Sequence, residues 1–440
     1  MKHLKTFLVV FFAVFVAIFS ALSLSQIDIK PIKMEDKKFS DNQTEFLQEV
    51  LGRVKKDYVD EKTDKQLMEA AASGVLSYLD PHSSYMNEDD LKEINVQTKG
   101  EFGGVGIEIT MEMSVVKVVA PIEGTPADKA KMKPGDYIVK IEGESVVGMT
   151  ITDVVKKLRG KPRTSVNITV LRKNEKAPLE IKLTREIIKV KAVRAAKFSD
   201  VAYVKINTFS EQAFQGLEKE LKKIKSDIGE DKLKGLVIDL RNNPGGLLDQ
   251  AVRISDAFLN KDQTIVSIKG RNVEEKFYKD DSDETLVPSL PIVILINEGS
   301  ASASEIVSGA LQDNKRAVVM GIKSFGKGSV QTIIPLKTNG GALRMTTSLY
   351  YTPSGKSIQA HGIEPDIEVT NAKLEQQKPL DRNSEADLRG HIEVQVQEAV
   401  EDAKREKLKD ENLKIYEEDY QLARAIDLVR GMSLYKTKIK

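Results

Sequence analysis

The 440-residue chain reads as an α/β core of mixed sheet and helices, with an inserted β-rich domain and helical segments at both ends. Three observations predict this. Beyond residue 187, short apolar or branched runs alternate with helical patterns, as a sheet flanked by helices requires. Between Glu101 and Arg185 the texture is β-rich, with glycine turns at Gly103-Gly104-Val105-Gly106-Ile107, Gly124-Thr-Pro-Ala127 and Lys133-Pro-Gly-Asp136, and one helix over 152–158. At either end apolar residues recur at helical spacing: Phe46, Val50, Val54, then Leu67, Ala71, Val75, and later Leu422, Ile426, Val429.

In chain order, Lys2, His3 and Lys5 precede a mostly apolar run from Phe7 to Leu22, and Ser23-Leu24-Ser25 follows. A positive start, a short apolar stretch and small residues are the pattern of a signal peptide or an uncleaved membrane anchor, so the body is expected to be exported. Residues 27–42 are a polar lead-in, and 43–79 reads as an antiparallel helix pair. Past the β-rich segment, 203–206 is a strand, 211–228 an amphipathic helix and 236–240 a strand. Residues 371–384 are a polar linker. Residues 385–430 are helical, and their apolar face is assigned to an oligomer contact ahead of core packing. The mixed charges from Glu218 to Lys225 are a solvated helix face.

The densest stretch is 291–331. A buried strand, Pro291 to Ile296, stops at Asn297-Glu298-Gly299; small residues follow as Ser300-Ala301-Ser302-Ala303-Ser304, then a helical pattern over 305–312. A serine at such a helix start lies near free backbone amides and the positive end of the dipole, a suitable place for a nucleophile whose reaction creates an oxyanion. The same letters, Ser302-Ala303-Ser304-Glu305, also spell a capping box, and read alone that structural role comes first. Downstream, Phe325-Gly326-Lys327-Gly328 sets one lysine between glycines, with Gln331 after it. Residues 321–327 fit the opening of a phosphate-binding loop. Gly328 stands where that motif needs Ser or Thr, however, and the next residues read as a strand rather than a helix.

A base for Ser302 must come from few candidates. Of four histidines, His3 is in the leader, His391 in a charged helix, His82 in the turn Leu79-Asp80-Pro81-His82-Ser83 and His361 in a loop. Lys327 is the alternative, provided an amine that ordinarily titrates near ~10.4 is held well lower. Burial beside Phe325, Val330 and Ile333 is the expected means, and Gln331 can orient the amine without adding charge.

These segments resemble the carboxyl-terminal processing (tail-specific) proteases, serine peptidases with a Ser–Lys dyad. The likeness is carried by GSASASEIVSGALQDNKRAVVMG and SFGKGSVQ, by LVIDLRNNPGGL at 236–247, by YTPSGKSIQ at 351–359 with GIEPD after it, and by LDPHSSYM at 79–86. It implies Ser302 as nucleophile, Lys327 as general base and Gln331 as the residue that positions it. The oxyanion would be held by the Ala303 amide and by the Gly245-Gly246 turn, whose other reading is an ordinary strand-ending turn. It also implies that the β-rich segment is a PDZ domain, a fold that adds an extended peptide to a sheet edge and cradles its carboxylate in backbone amides. Gly103, Gly104, Val105, Gly106 and Ile107 match the cradle loop, and Ile107-Glu108-Ile109 the pairing strand. Arg159, after the helix, would couple tail occupancy to the site, against the commoner fate of a surface ion pair. Lys131 and Arg163 stand where the family has glycine, and those turns are expected to be reshaped.

The implied organisation is residues 1–25 leader or anchor, 26–98 helical segment, 99–186 PDZ domain, 187–372 protease core, and 373–440 linker and helices. The implied function is a serine endopeptidase acting on exposed C-terminal tails in an extracytoplasmic, periplasmic setting, with a peptide-binding scaffold or chaperone of the same fold as the alternative. It needs no cofactor and no metal. An adaptor or lipoprotein partner and a homo-oligomer are further expectations. Composition narrows the rest. Lys plus Arg total 67 against 66 Asp plus Glu, a net charge of +1, so there is no basic field for nucleic acid. With no cysteine, disulfides, thiolate catalysis, zinc–thiolate sites and lipidation through cysteine are excluded.

Overall fold

The computed structural model describes residues 40–372 and 418–439, apart from 113, 114, 123, 176, 272, 283 and 284. The leader, most of the 371–384 linker and the expected helical stretch from 385 to 417 lie outside the described residues. Two compact units divide the chain, residues 1–71 and 72–440.

In the first unit, helix α1 (Asp41–Asp57) begins at Ser40, whose amide donates to Gln43 Oε1 (3.1 Å). Its apolar stripe forms as predicted, but Phe46, Val50 and Val54 are all exposed. Helix α2 (Asp64–Leu79) follows and carries the chain into the second unit.

The second unit opens with β1 (Ser84–Met86) and α3 (Glu88–Lys99), then the β-rich region. That region contains β2 (Glu101–Gly104), β3 (Ile107–Glu112), β4 (Val115–Pro121), the single-turn α4 (Pro126–Lys129), β5 (Tyr137–Ile141) and β6 (Glu144–Ser145). It continues through α5 (Ile151–Leu158), β7 (Ser165–Leu171), β8 (Leu179–Thr184) and β9 (Glu186–Lys189). The sheet order is β3-β4-β5-β7-β8, with β6 on β5, so β3 is an edge strand. Period-two alternation turns Val116, Val118, Ile138, Val166 and Ile168 inward, where Val154 and Leu158 of α5 cover them. Lys131 and Arg163 keep the left-handed conformation (φ 58° and 71°) that glycine would have favoured.

The core comprises β10 (Val193–Phe198), β11 (Val201–Ile206), α6 (Ala213–Ile228), β12 (Gly235–Asp239), α7 (Leu248–Asp256), β13 (Thr264–Gly270) and β14 (Val273–Lys279). After these come β15 (Ile292–Ile296), α8 (Ala303–Asp313), β16 (Val318–Gly321), β17 (Ser329–Pro335), β18 (Ala342–Tyr351), β19 (Ile367–Glu368) and α9 (Tyr420–Ile439). One sheet runs β10-β11-β12-β15-β16-β19, parallel from β11 onward, and the second runs β1-β18-β13-β14 with β17 on β18. β12 and β15 are buried along their whole length, as central parallel strands covered on both faces must be. Because they are parallel neighbours, the turns that leave their C-terminal ends are brought side by side.

Helix α9 corrects one expectation. Leu422, Ile426 and Val429 pack on Val201, Val237, Val293 and Leu295 of the chain's own sheet rather than facing a partner. The sheet's second face needs a cover, and this helix is the apolar surface that supplies it.

Candidate active site

The turn after β15 brings Ser302 to the start of α8 with φ 54° and ψ −111°, a strained backbone for a residue with a side chain. The strain is held by a cross-brace to the turn after β12. Ala301 N donates to Asn243 O (3.0 Å), Ser300 Oγ to Leu240 O (2.8 Å), Ser304 Oγ to Asn243 O (2.9 Å) and Asn242 N to Asn297 Oδ1 (2.8 Å). The Ala303 amide, first of the helix, has no acceptor among the described residues. Gly245, at φ 103°, lies so close that an added Cβ would sit 2.9 Å from Ser302 Cβ and 3.0 Å from Ala303 N. At Gly246 the same atom would meet Phe209 O at 2.5 Å. Both glycines are therefore required by close approach, and the Gly245 amide donates to Asn243 Oδ1 (2.9 Å), which fixes the turn beside Ser302.

Glu305 does more than cap. Its carboxylate, wholly buried, accepts from Ser302 N (2.7 Å) and Lys327 N (2.9 Å) on Oε2, and from Ser324 Oγ and Gly326 N (both 2.6 Å) on Oε1. One side chain thus bolts the Ser302 turn to the lysine loop. Burial pushes its acid up, against the four hydrogen bonds that favour the charge. The Glu305 amide donates to the Ser302 carbonyl (2.9 Å), and the Ser302 amide's bond to the Glu305 side chain is the capping-box contact that frames the turn.

Lys327 sits half-buried just ahead of β17. Burial is the main force holding its amine below the ordinary lysine value; the Arg344 guanidinium adds to this and Glu305 opposes it. Phe325 and Ile333, expected to bury the amine, are instead 62% and 38% exposed. The loop is anchored through its backbone, by Phe325 N to Ser300 O (3.0 Å), which leaves the ring outside. The Ser302 hydroxyl and the Lys327 amine share no hydrogen bond. Gln331, expected to hold the amine, donates to Ser329 Oγ (2.9 Å) and Thr346 Oγ1 (3.3 Å). A strand, not a helix, follows Lys327, which removes the phosphate-loop reading. His361 stays in its loop, its amide bonded to Ile358 O. His82 is nearer than the sequence implied: its imidazole is held low by burial first, then by the charges of Lys327 and Arg344.

Of the tail-binding candidates, Gly103 and Gly104 lie in β2, paired to Ile187 and Glu186 of β9, and so are strand residues rather than loop residues. Val105 and Gly106 form the loop proper. Their carbonyls accept from Ala127 N and Ile122 N (both 2.9 Å), and their amides donate to nothing among the described residues. Ile107 starts the edge strand β3. Arg159 closes α5, ion-pairs with Glu93 of α3 and lies over the Phe102 ring at 4.6 Å.

Sequence reasoning missed a further network. Asp239, at the end of β12, accepts from Tyr203 Oη (2.8 Å) and Arg241 Nε (3.0 Å), and Arg241 reaches Asp419 at the start of α9 (2.7 Å). The only signal was an Asp-Leu-Arg run, and Asp419 is too far along the chain to be paired with it.

The comparisons bear on this geometry. The model of peptidase family S41 matches residues 200–369, and a PDZ domain model matches 117–172. A carboxy-terminal-processing protease of Bartonella bacilliformis is 51% identical over 345 residues, covering 78% of this chain and 79% of that protein. The chain belongs to the carboxy-terminal-processing proteases of family S41. It is a serine-type peptidase. A protein of Staphylococcus haemolyticus, described as a probable CtpA-like serine protease, is 39% identical over 72% of this chain, which spans 63% of that relative. Among solved structures, the photosystem II D1 C-terminal processing protease is 26% identical, with a TM-score of 0.46 over 76% of this chain and 94% of that one. Within the family frame, the α/β core, the inserted PDZ domain and the flanking helices expected from the sequence are all present.

Proposed function

We propose that this peptidase cleaves proteins near exposed C-terminal tails, with Ser302 as nucleophile and Lys327 as general base. The observation that carries the reading is the Glu305 carboxylate, which accepts the backbone amides of both residues on one oxygen. Neutral Lys327 takes the Ser302 proton as Oγ attacks the scissile carbonyl, and the oxyanion accepts from the Ala303 amide and the Gly245-Gly246 turn. The ammonium then protonates the leaving amine. Water, deprotonated in turn by the lysine, releases the acid product and restores the serine. The mutual Ser302–Lys327 hydrogen bond and the Gln331 contact belong to the substrate-bound state, since apo sites often tighten only with substrate.

The tail adds as a strand along the open edge of β3, and its carboxylate meets the amides of Val105 and Gly106. Arg159 answers occupancy through its pair with Glu93 on α3. The leader supports an extracytoplasmic site of action; a lipoprotein or adaptor partner and self-association complete the reading. One peptide with a free carboxylate and its amidated twin, each given to wild type and Ser302→Ala, test it. The free acid should be cut faster, and only by wild type. Equal rates for the two ends discard tail sensing, and cleavage by Ser302→Ala discards the nucleophile.

A further inference from the structure

The turn that ends α2 is built against the lysine, and the protease chemistry as described makes no use of it. Asp80 is its hub. Oδ1 accepts from His82 N (2.8 Å), Ser83 N (3.0 Å) and Thr346 Oγ1 (3.1 Å), while Oδ2 accepts from Ser83 Oγ (2.7 Å). Ser83, buried, accepts in turn from Thr346 N (3.1 Å). Thr346 is the cross-strand partner of Gln331, beside the register shift between Val330 and Gln331, and its hydroxyl accepts from Gln331 Nε2 (3.3 Å). One hydroxyl therefore gives its proton to Asp80 and takes one from Gln331, a chain with a single direction. It leaves the Gln331 amide oxygen free for a donor such as an ammonium. Beside it, Arg344 pairs with Ser84 across β1 and β18, and its Nε is tied to His82 O (3.1 Å).

We propose that this junction belongs to the catalytic apparatus: Asp80 positions Gln331 through Thr346, and Arg344, held by the same turn, acts electrostatically on Lys327. The inference rests on the Ser302–Lys327 reading and adds what sets the amine's state. Charges reach Lys327 from three elements: Arg344 on β18, His82 on the turn and Glu305 on α8. The first disfavours the ammonium, Glu305 favours it, and His82 joins Arg344 only when protonated. Removing the Arg344 charge must therefore let the lysine hold its proton to higher pH.

The experiment follows kcat/KM against pH on a fluorogenic peptide, alongside the pH dependence of Lys327 acetylation by acetic anhydride, read by mass spectrometry. Arg344→Gln should move both profiles to higher pH, with rates on the acid limb ~3–10-fold below wild type and the alkaline plateau retained. Arg344→Lys should restore them. Thr346→Val should lower kcat severalfold with KM unchanged, and add nothing in a Gln331→Ala background. If neither profile moves in Arg344→Gln, or the Thr346 and Gln331 effects multiply, the proposal is overturned. If acetylation shifts but the rate limb does not, the tuning stands and the lysine is not the base. Thermal unfolding of each variant separates these results from loss of fold.

Discussion

Two buried carboxylates, one in the PDZ domain and one in the active site, are handled in opposite ways. Asp136 is closed off by Arg172, with Nε and Nη2 donating at 2.7 and 2.8 Å. Burial alone would raise its acid, but the guanidinium outweighs it and holds the carboxyl below the usual value. Among the described residues no cationic side chain donates to Glu305, only two loops' amides and one hydroxyl, and burial wins. A paired charge is a staple, suited to a domain whose task is to keep its shape. At the site, a carboxylate set against the amine would keep Lys327 protonated. The acid is therefore turned to the backbone, and the Arg344 guanidinium adds to burial in disfavouring the ammonium.

The largest effects that can break this contrast lie at the dyad. Lys327→Ala should lower kcat on a peptide substrate by about 10³-fold or more with the fold intact, read by steady-state kinetics and circular dichroism. A residual rate near wild type would return Lys327 to the status of a loop residue. Glu305→Gln keeps size but presents an amide NH₂ to donors, so kcat should fall ~10²-fold as the two loops part. Tm should fall with it, since buried donors lose their acceptor. Gly245→Ala forces a Cβ toward Ser302 and Ala303; kcat should drop ~10²–10³-fold, the scale of one lost oxyanion donor, while binding of an amidated-versus-free tail pair by the PDZ domain is unchanged.

On the other side of the comparison, Arg172→Ala strands a buried carboxylate and should destabilise the PDZ domain by about 3–5 kcal/mol in urea unfolding. The smallest effect is the pH dependence. Asp136 is depressed below its ordinary 3.8, so its contribution is complete above that value and is lost as pH falls through the lower folded value. Glu305 has the opposite sign: its raised acid gives stability on the acid side that is lost as pH rises past 4.5. Between those values, acidification should not weaken the core through Glu305, and a Glu305-dependent acid transition there would contradict the assignment.

Much of this was legible from local pattern. β12, β15 and α8 appear within a residue or two of their expected bounds, because apolar runs and a helix-start signal are local properties. The capping-box and nucleophile readings of Ser302 turned out to share one device, since Glu305 reaches both the serine turn and the lysine loop. The face of α9 was visible, but its partner was not, because periodicity reports that a face will be covered and not by what.

By itself, then, the sequence determined the order of elements, the Ser302 and Lys327 segments and the glycine-lined approach, all of which depend on short-range sterics and hydrogen bonding. Only the tertiary structure decided which charges surround the amine. His82, Glu305 and Arg344 lie hundreds of residues apart in part, and their effect on Lys327 depends on distance and burial in space. Neither quantity is written in the order of the chain.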